Sequence, residues 1–116
     1  MHIWINMEEI SWNDFTKVDI RTGKIIDVRD FPEAIKPAYI LTIDFGRLGT
    51  RKTSAQITNY TRAELLDREI VAVFNFPAKQ IGPIISEVLV LGAVEKDGTV
   101  RLLKPDADCE LGSRVG

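Results

Sequence analysis

The chain offers few groups able to make or break bonds: among its 116 residues there is one histidine, His2, and one cysteine, Cys109. A zinc site built from those ligands is excluded by number, and a cysteine–histidine nucleophile would need the amino-terminal arm to meet the tail. No GxGxxG, GxxxxGK(S/T) or GxSxG occurs, so the usual signals for dinucleotides, triphosphates and a hydrolase nucleophile are missing. Asp27 with Asp30, and Asp106 with Asp108, pair carboxylates in segments that read as solvated loops or strand ends. The expectation is a protein without catalysis, metal or cofactor. What remains is polar recognition chemistry. Arg51-Lys52-Thr53-Ser54-Ala55-Gln56 sets two cations beside hydroxyl and amide groups that hydrogen-bond phosphate or ribose. Asn75, Lys79, Gln80 and Ser86 form a second cluster around a loop. The candidate contact residues are therefore Arg51, Lys52, Ser54, Gln56, Asn75, Lys79, Gln80 and Ser86, each weighed against the plainer reading of a solvated strand edge. Phe74, Phe76 and Tyr39 have rings for stacking, but Phe74 and Phe76 share one strand face and read as core.

These clusters need a scaffold, and the apolar pattern supplies strands. Ser11 and Asp14 mark a helix start, giving a short helix over 12–16. Residues 18–31 read as a long curved strand in which Gly23 marks a bulge or sharp bend. Pro32 and Pro37 fence a loop, after which Tyr39, Leu41, Ile43 and Phe45 recur at every second position. Gly46 and Gly49 turn the chain into a third strand over 50–58. Thr61 with Glu64 is a capping box for a short helix before the strands 70–76 and 87–94, and 100–104 returns across Lys96-Asp97-Gly98.

Five or six short strands with few helical turns predict an all-β, closed or nearly closed barrel, since an open sheet this small would leave its edges bare. In Val88-Leu89-Val90-Leu91 both faces of the strand are apolar, so one fills the barrel and the other needs a cover. The arm, the tail from Pro105 onward or a second copy would serve, and a homodimer is the preferred answer. The organisation expected is an arm over residues 1–8 and one domain over 9–116. The formal charge of -2, from 15 Lys plus Arg against 17 Asp plus Glu, leaves phosphate attraction to a local patch. The single cysteine and the lack of a long apolar run point to the cytoplasm and to no membrane partner.

Asp14-Phe15-Thr16-Lys17-Val18-Asp19-Ile20-Arg21-Thr22-Gly23-Lys24-Ile25 resembles the opening strand of the tRNA-binding-domain family. The central run from Arg51 to Ile57, Val71-Ala72-Val73-Phe74-Asn75-Phe76-Pro77 and Ser86-Glu87-Val88-Leu89-Val90-Leu91-Gly92 resemble its later strands, most closely in the CsaA branch. The resemblance implies a five-stranded Greek-key OB-fold barrel with short helices, whose terminal extensions form a homodimer. It also implies tRNA as a partner, bound through structure rather than sequence. The alternative it implies is a polypeptide client, held by an export-related chaperone in a dimer groove. Where the tRNA-binding branch carries Ser-x-Gly-Met, this chain has Ser86-Glu87-Val88-Leu89.

Overall fold

The computed structural model describes residues 7–116; the preceding residues, which hold His2 and most of the expected arm, lie outside the described residues. Helix α1 (Trp12–Thr16) begins at the expected box, with Ser11 Oγ accepting the Asp14 N–H and the Asp14 carboxylate accepting the Ser11 N–H. The strands β1 (Ile20–Asp30), β2 (Tyr39–Asp44) and β3 (Thr50–Ala55) form an antiparallel meander. Helix α2 (Arg62–Leu65) starts at the Thr61/Glu64 box and leads into β4 (Glu69–Val73). After it come the hairpin β5 (Lys79–Ile81) and β6 (Ile84–Ser86), the short β7 (Leu89–Val90), and a second hairpin of β8 (Gly92–Val94) and β9 (Val100–Leu102).

The main sheet runs β3-β2-β1-β4-β7, five antiparallel strands that curl into a nearly closed barrel. Its interior is filled by inward strand positions, among them Ile25, Leu41, Ile43 and Ile70, with Phe45 and Val88 beside them. Gly23 is not the bulge. The register shifts between Ile25 and Asp27, which turns Ile26 outward, whereas Gly23 lets β1 pass close to its neighbours. A Cβ on Gly23 would meet Ile43 Cγ2 at 2.7 Å and the Phe45 ring at 2.8 Å.

Two further boundaries differ from expectation. The fourth strand stops at Val73, and the segment 87–94 divides at Leu91 between the main sheet and the β8–β9 hairpin. Gly92, at the start of β8, lies too close to Val100 Cγ1 and the Arg101 carbonyl to carry a side chain, the two being 2.6 and 3.0 Å from its ideal Cβ. The tail is committed to β1: Gly112 N–H donates to the Thr22 carbonyl (2.8 Å), Thr22 N–H to Ser113 (3.0 Å) and Val115 N–H to Ile20 (2.8 Å). Arg21 adds a bond from Nη1 to the Gly112 carbonyl.

Candidate nucleic-acid interface

The site is built where β3 meets the β6–β7 segment, because the barrel closes there largely through side chains. One backbone bond crosses the seam, from Glu87 N–H to the Lys52 carbonyl at 2.8 Å. The Lys52 N–H donates in return to Glu87 Oε1 at 2.9 Å. Beside it runs a relay: Ser54 N–H donates to Ser86 Oγ (3.2 Å), that oxygen lies 2.9 Å from Thr53 Oγ1, and Thr53 donates to the Val88 carbonyl at 2.7 Å. Side-chain oxygens thus stand in for the ladder that an ordinary strand pair would make.

β3 is regular, so its residues alternate. Arg51 faces inward and is half-buried, its guanidinium 4.8 Å from the Phe74 ring centroid and its Nη1 bonded to the Leu48 and Thr50 carbonyls. Phe74 in turn meets Phe45 edge-on at 5.0 Å. Lys52 lies on the opposite face, exposed. Ser54 follows on that face, and Gln56 continues beyond the strand, exposed.

Asn75 and Gln80 are also tied up internally. Asn75 Oδ1 accepts the Asp19 N–H (2.9 Å) and its Nδ2 donates to the Lys17 carbonyl (2.7 Å), fixing the exit of α1 to the end of β4. Gln80 Nε2 donates to Gly82 and Ile84 across the turn of the β5–β6 hairpin. Among the described residues the side chains of Lys52, Ser54, Gln56 and Lys79 make no hydrogen bond or ion pair, so they are free to meet a ligand.

Two clefts meet at Ser54, Lys79 and Ile81. One, of about 620 Å³, lies between the loop 31–38 and the β5–β6 hairpin, floored by Ser54 and Gln56 and flanked by Lys36, Lys79 and Gln80. The tip of its loop carries Ile35 fully exposed. The other, of about 520 Å³, is mostly apolar and lies across the hairpin, lined by Phe76, Pro77, Val88 and Leu89 together with Ser86 and Glu87. The cluster expectations for Ser54, Gln56, Lys79, Gln80 and Ser86 therefore converge on one surface. Arg51, Lys52 and Asn75 line neither cleft.

Phe76 departs from its expected place in the core. The strand ends before it, the alternation with Phe74 is lost, and its ring is 54% exposed at the mouth of the apolar cleft. The β5–β6 hairpin is an addition to the strands expected from sequence, although Ile81-Gly82-Pro83-Ile84 is a turn signal between apolar residues, with Gly82 at φ +55°. Among the described residues no group of three or more His, Cys, Asp or Glu is placed to hold a metal, and no helix is long and apolar enough to cross a membrane.

Comparison with known proteins places these features in a family context. The sequence signature described as "Putative tRNA binding domain" matches residues 20–114. The crystal structure of the CsaA chaperone protein from Picrophilus torridus is 55% identical, with a TM-score of 0.87 over 93% of this chain and all of that one. Chaperone CsaA from Bacillus anthracis is 42% identical, with a TM-score of 0.89 over 94% of this chain and 100% of its own. Methionine–tRNA ligase of Thermococcus onnurineus is 34% identical over 109 residues, 94% of this chain but 15% of the ligase. The chain thus matches one small region of the ligases it resembles.

Proposed function

Because the chain belongs to the family of tRNA-binding domains, we propose that it is a non-catalytic, cytoplasmic barrel that binds tRNA by shape and phosphate contacts across the cleft between the loop 31–38 and the β5–β6 hairpin. The observation that carries this reading is uncommitted Lys79 at the groove floored by Ser54 and Gln56, with Lys52 exposed outside the groove on the same face of β3 as Ser54. Lys36 adds a third cation on the opposite rim. Glu33 lines the same cleft, but Lys36 and Lys79 leave it a net positive charge, which attracts phosphate even though the chain as a whole is acidic. The domain runs over 9–116 and needs no cofactor or metal for this task.

Filter binding of a tRNA transcript at two salt concentrations tests the reading. Lys79→Ala and Lys52→Ala, made singly, should each weaken binding and reduce the magnitude of the salt slope by about one unit or less. Absence of binding at low salt, or two lysine variants indistinguishable from the parent, would remove it.

A second reading is favoured by the apolar cleft. Exposed Phe76 and Leu89 around about 520 Å³ suit an extended polypeptide, in keeping with the two similar CsaA chaperone proteins. Suppression of aggregation of an unfolded client, lost on Phe76→Ala while tRNA binding survives, would support it. We also propose a homodimer. Trp12 is 71% exposed, and Ile10, Leu89 and Val94 also present apolar surface, more than a small monomer ordinarily leaves bare. Light scattering that gives the 13.0 kDa of one chain at micromolar concentration would refute it.

A further inference from the structure

We infer that Glu87 tunes the affinity of the RNA site from the adjoining apolar cleft, as a fixed negative charge near Lys79, where the two clefts meet, that holds down phosphate affinity. The inference rests on the reading of the cleft as an RNA interface and deepens it by naming the residue that weakens the contact.

Three observations carry it. Glu87 lines the apolar cleft with Lys79, and its neighbour Ser86 pairs with Lys79 across the β5–β6 hairpin. Its carboxylate is held in place, since Oε1 accepts the Lys52 N–H at 2.9 Å while the Glu87 N–H donates to the Lys52 carbonyl at 2.8 Å. A carboxylate on a free side chain would swing away from an approaching phosphate; this one is anchored to the strand that carries Lys52. Among the described residues it makes no ion pair with Lys52 or Lys79, so its charge is not consumed within the protein. It therefore offsets the attraction of Lys79, and of Lys52 beside it on β3, for a polyanion that reaches the junction of the two clefts.

The anchoring bond needs an acceptor oxygen and not a charge. Glu87→Gln retains a carbonyl oxygen at the same place and removes the charge, which separates the two roles. Like charges about 7 Å apart in solvent-rich surroundings repel by an amount equivalent to about three- to sevenfold in affinity, and salt screens this.

The experiment uses the full chain and an unmodified tRNA transcript, with filter binding at about 50 and 200 mM salt and a melting curve for each variant. Glu87→Gln is expected to melt with the parent, to bind about three- to sevenfold more tightly at the lower salt, and to show a gain that shrinks at the higher salt. Glu87→Met, neutral but unable to accept the bond, is expected to melt lower yet show the same gain per folded molecule. If Glu87→Gln binds like the parent at both salts while Lys79→Ala still weakens binding, the role of Glu87 is overturned and the RNA reading stands. If the two neutral variants disagree in their gain, affinity follows the seam and not the charge, and the inference fails. If neither parent nor variants bind RNA at low salt, the RNA reading falls and this inference with it.

Discussion

Thr53→Val is the sharpest test of the side-chain seam, because it removes one hydroxyl and leaves the shape. Thr53 is 1% exposed and sits in the middle of the relay, donating to the Val88 carbonyl at 2.7 Å and lying 2.9 Å from Ser86 Oγ. Valine keeps the volume and the strand preference but leaves the Val88 carbonyl and the Ser86 hydroxyl without that partner. A buried polar group stripped of its bond costs about 1–3 kcal/mol. For a chain of 116 residues the unfolding entropy is about 0.24 kcal/mol/K, so the melting temperature should fall by roughly 4–12 °C. Circular dichroism or calorimetry reads this directly. RNA affinity should fall as well, since β3 and the β6–β7 wall are fastened here, but the salt slope should stay as it was because no cation has been removed. A melting point within about 2 °C of the parent would refute the seam as a source of stability. A changed salt slope would refute the claim that Thr53 acts only through position.

Gly23→Ala should destabilise by about 1–3 kcal/mol despite removing a flexible residue, because the added carbon meets Ile43 and Phe45 at under 3 Å; denaturant unfolding measures it, and a stabilised variant would contradict the close packing. Arg51→Lys should lower stability by about 1–2 kcal/mol with RNA salt dependence unchanged, since lysine loses the planar stack on Phe74 and the bonds to the Leu48 and Thr50 carbonyls. A reduced salt slope instead would place Arg51 among the phosphate contacts. The Glu64 carboxyl is held below its ordinary value of 4.5 by the Thr61 N–H first, then by the Thr61 hydroxyl, with Arg68 nearby adding to the effect. Because the folded value is depressed, this stabilisation is complete above about 4.5 and is lost as the pH falls through the folded value. Acid unfolding of Glu64→Gln, compared with the parent, should show a shallower dependence in that window.

Elements whose signal is local were legible in the sequence. Ser11/Asp14 and Thr61/Glu64 specify helix starts by short-range bonding, and both appear as read. The alternation Tyr39, Leu41, Ile43 fixed β2, because a slip of one residue would expose the buried set. What failed depended on distant neighbours. Gly23 looks in sequence like any strand glycine, and only the placement of Ile43 and Phe45 shows that it marks a close approach and not a bulge. Phe76 obeys the same alternation as Phe74 until the strand stops at Val73, an ending that Asn75's bonds to Asp19 and Lys17 accompany. The polar candidates were legible as a set but not by role. Arg51 and Lys52 are adjacent cations in sequence, and strand geometry makes one a structural group stacked on Phe74 and leaves the other in solvent.

That division has a physical cause in how the barrel closes. A short strand such as β7, two residues long, cannot supply a full ladder to β3. The backbone groups of β3 that face the gap must find other partners, since leaving them unpaired as the barrel closes would be costly. Ser86 and Glu87 fulfil that demand with side-chain oxygens, as Thr53 does for the Val88 carbonyl. The residue types chosen for this closure, hydroxyls and a carboxylate next to lysines, are the same types that recognise phosphate and ribose. A polar cluster at the seam of a small barrel is therefore ambiguous in sequence by construction. The ambiguity resolves bond by bond: what the seam uses cannot be counted again for a ligand, and what remains at the groove is Lys36, Lys79, the Ser54 hydroxyl and Gln56, with Lys52 outside it on the same face of β3. Any ligand reading of this surface has to be built on those groups, with the Glu87 charge entered against it.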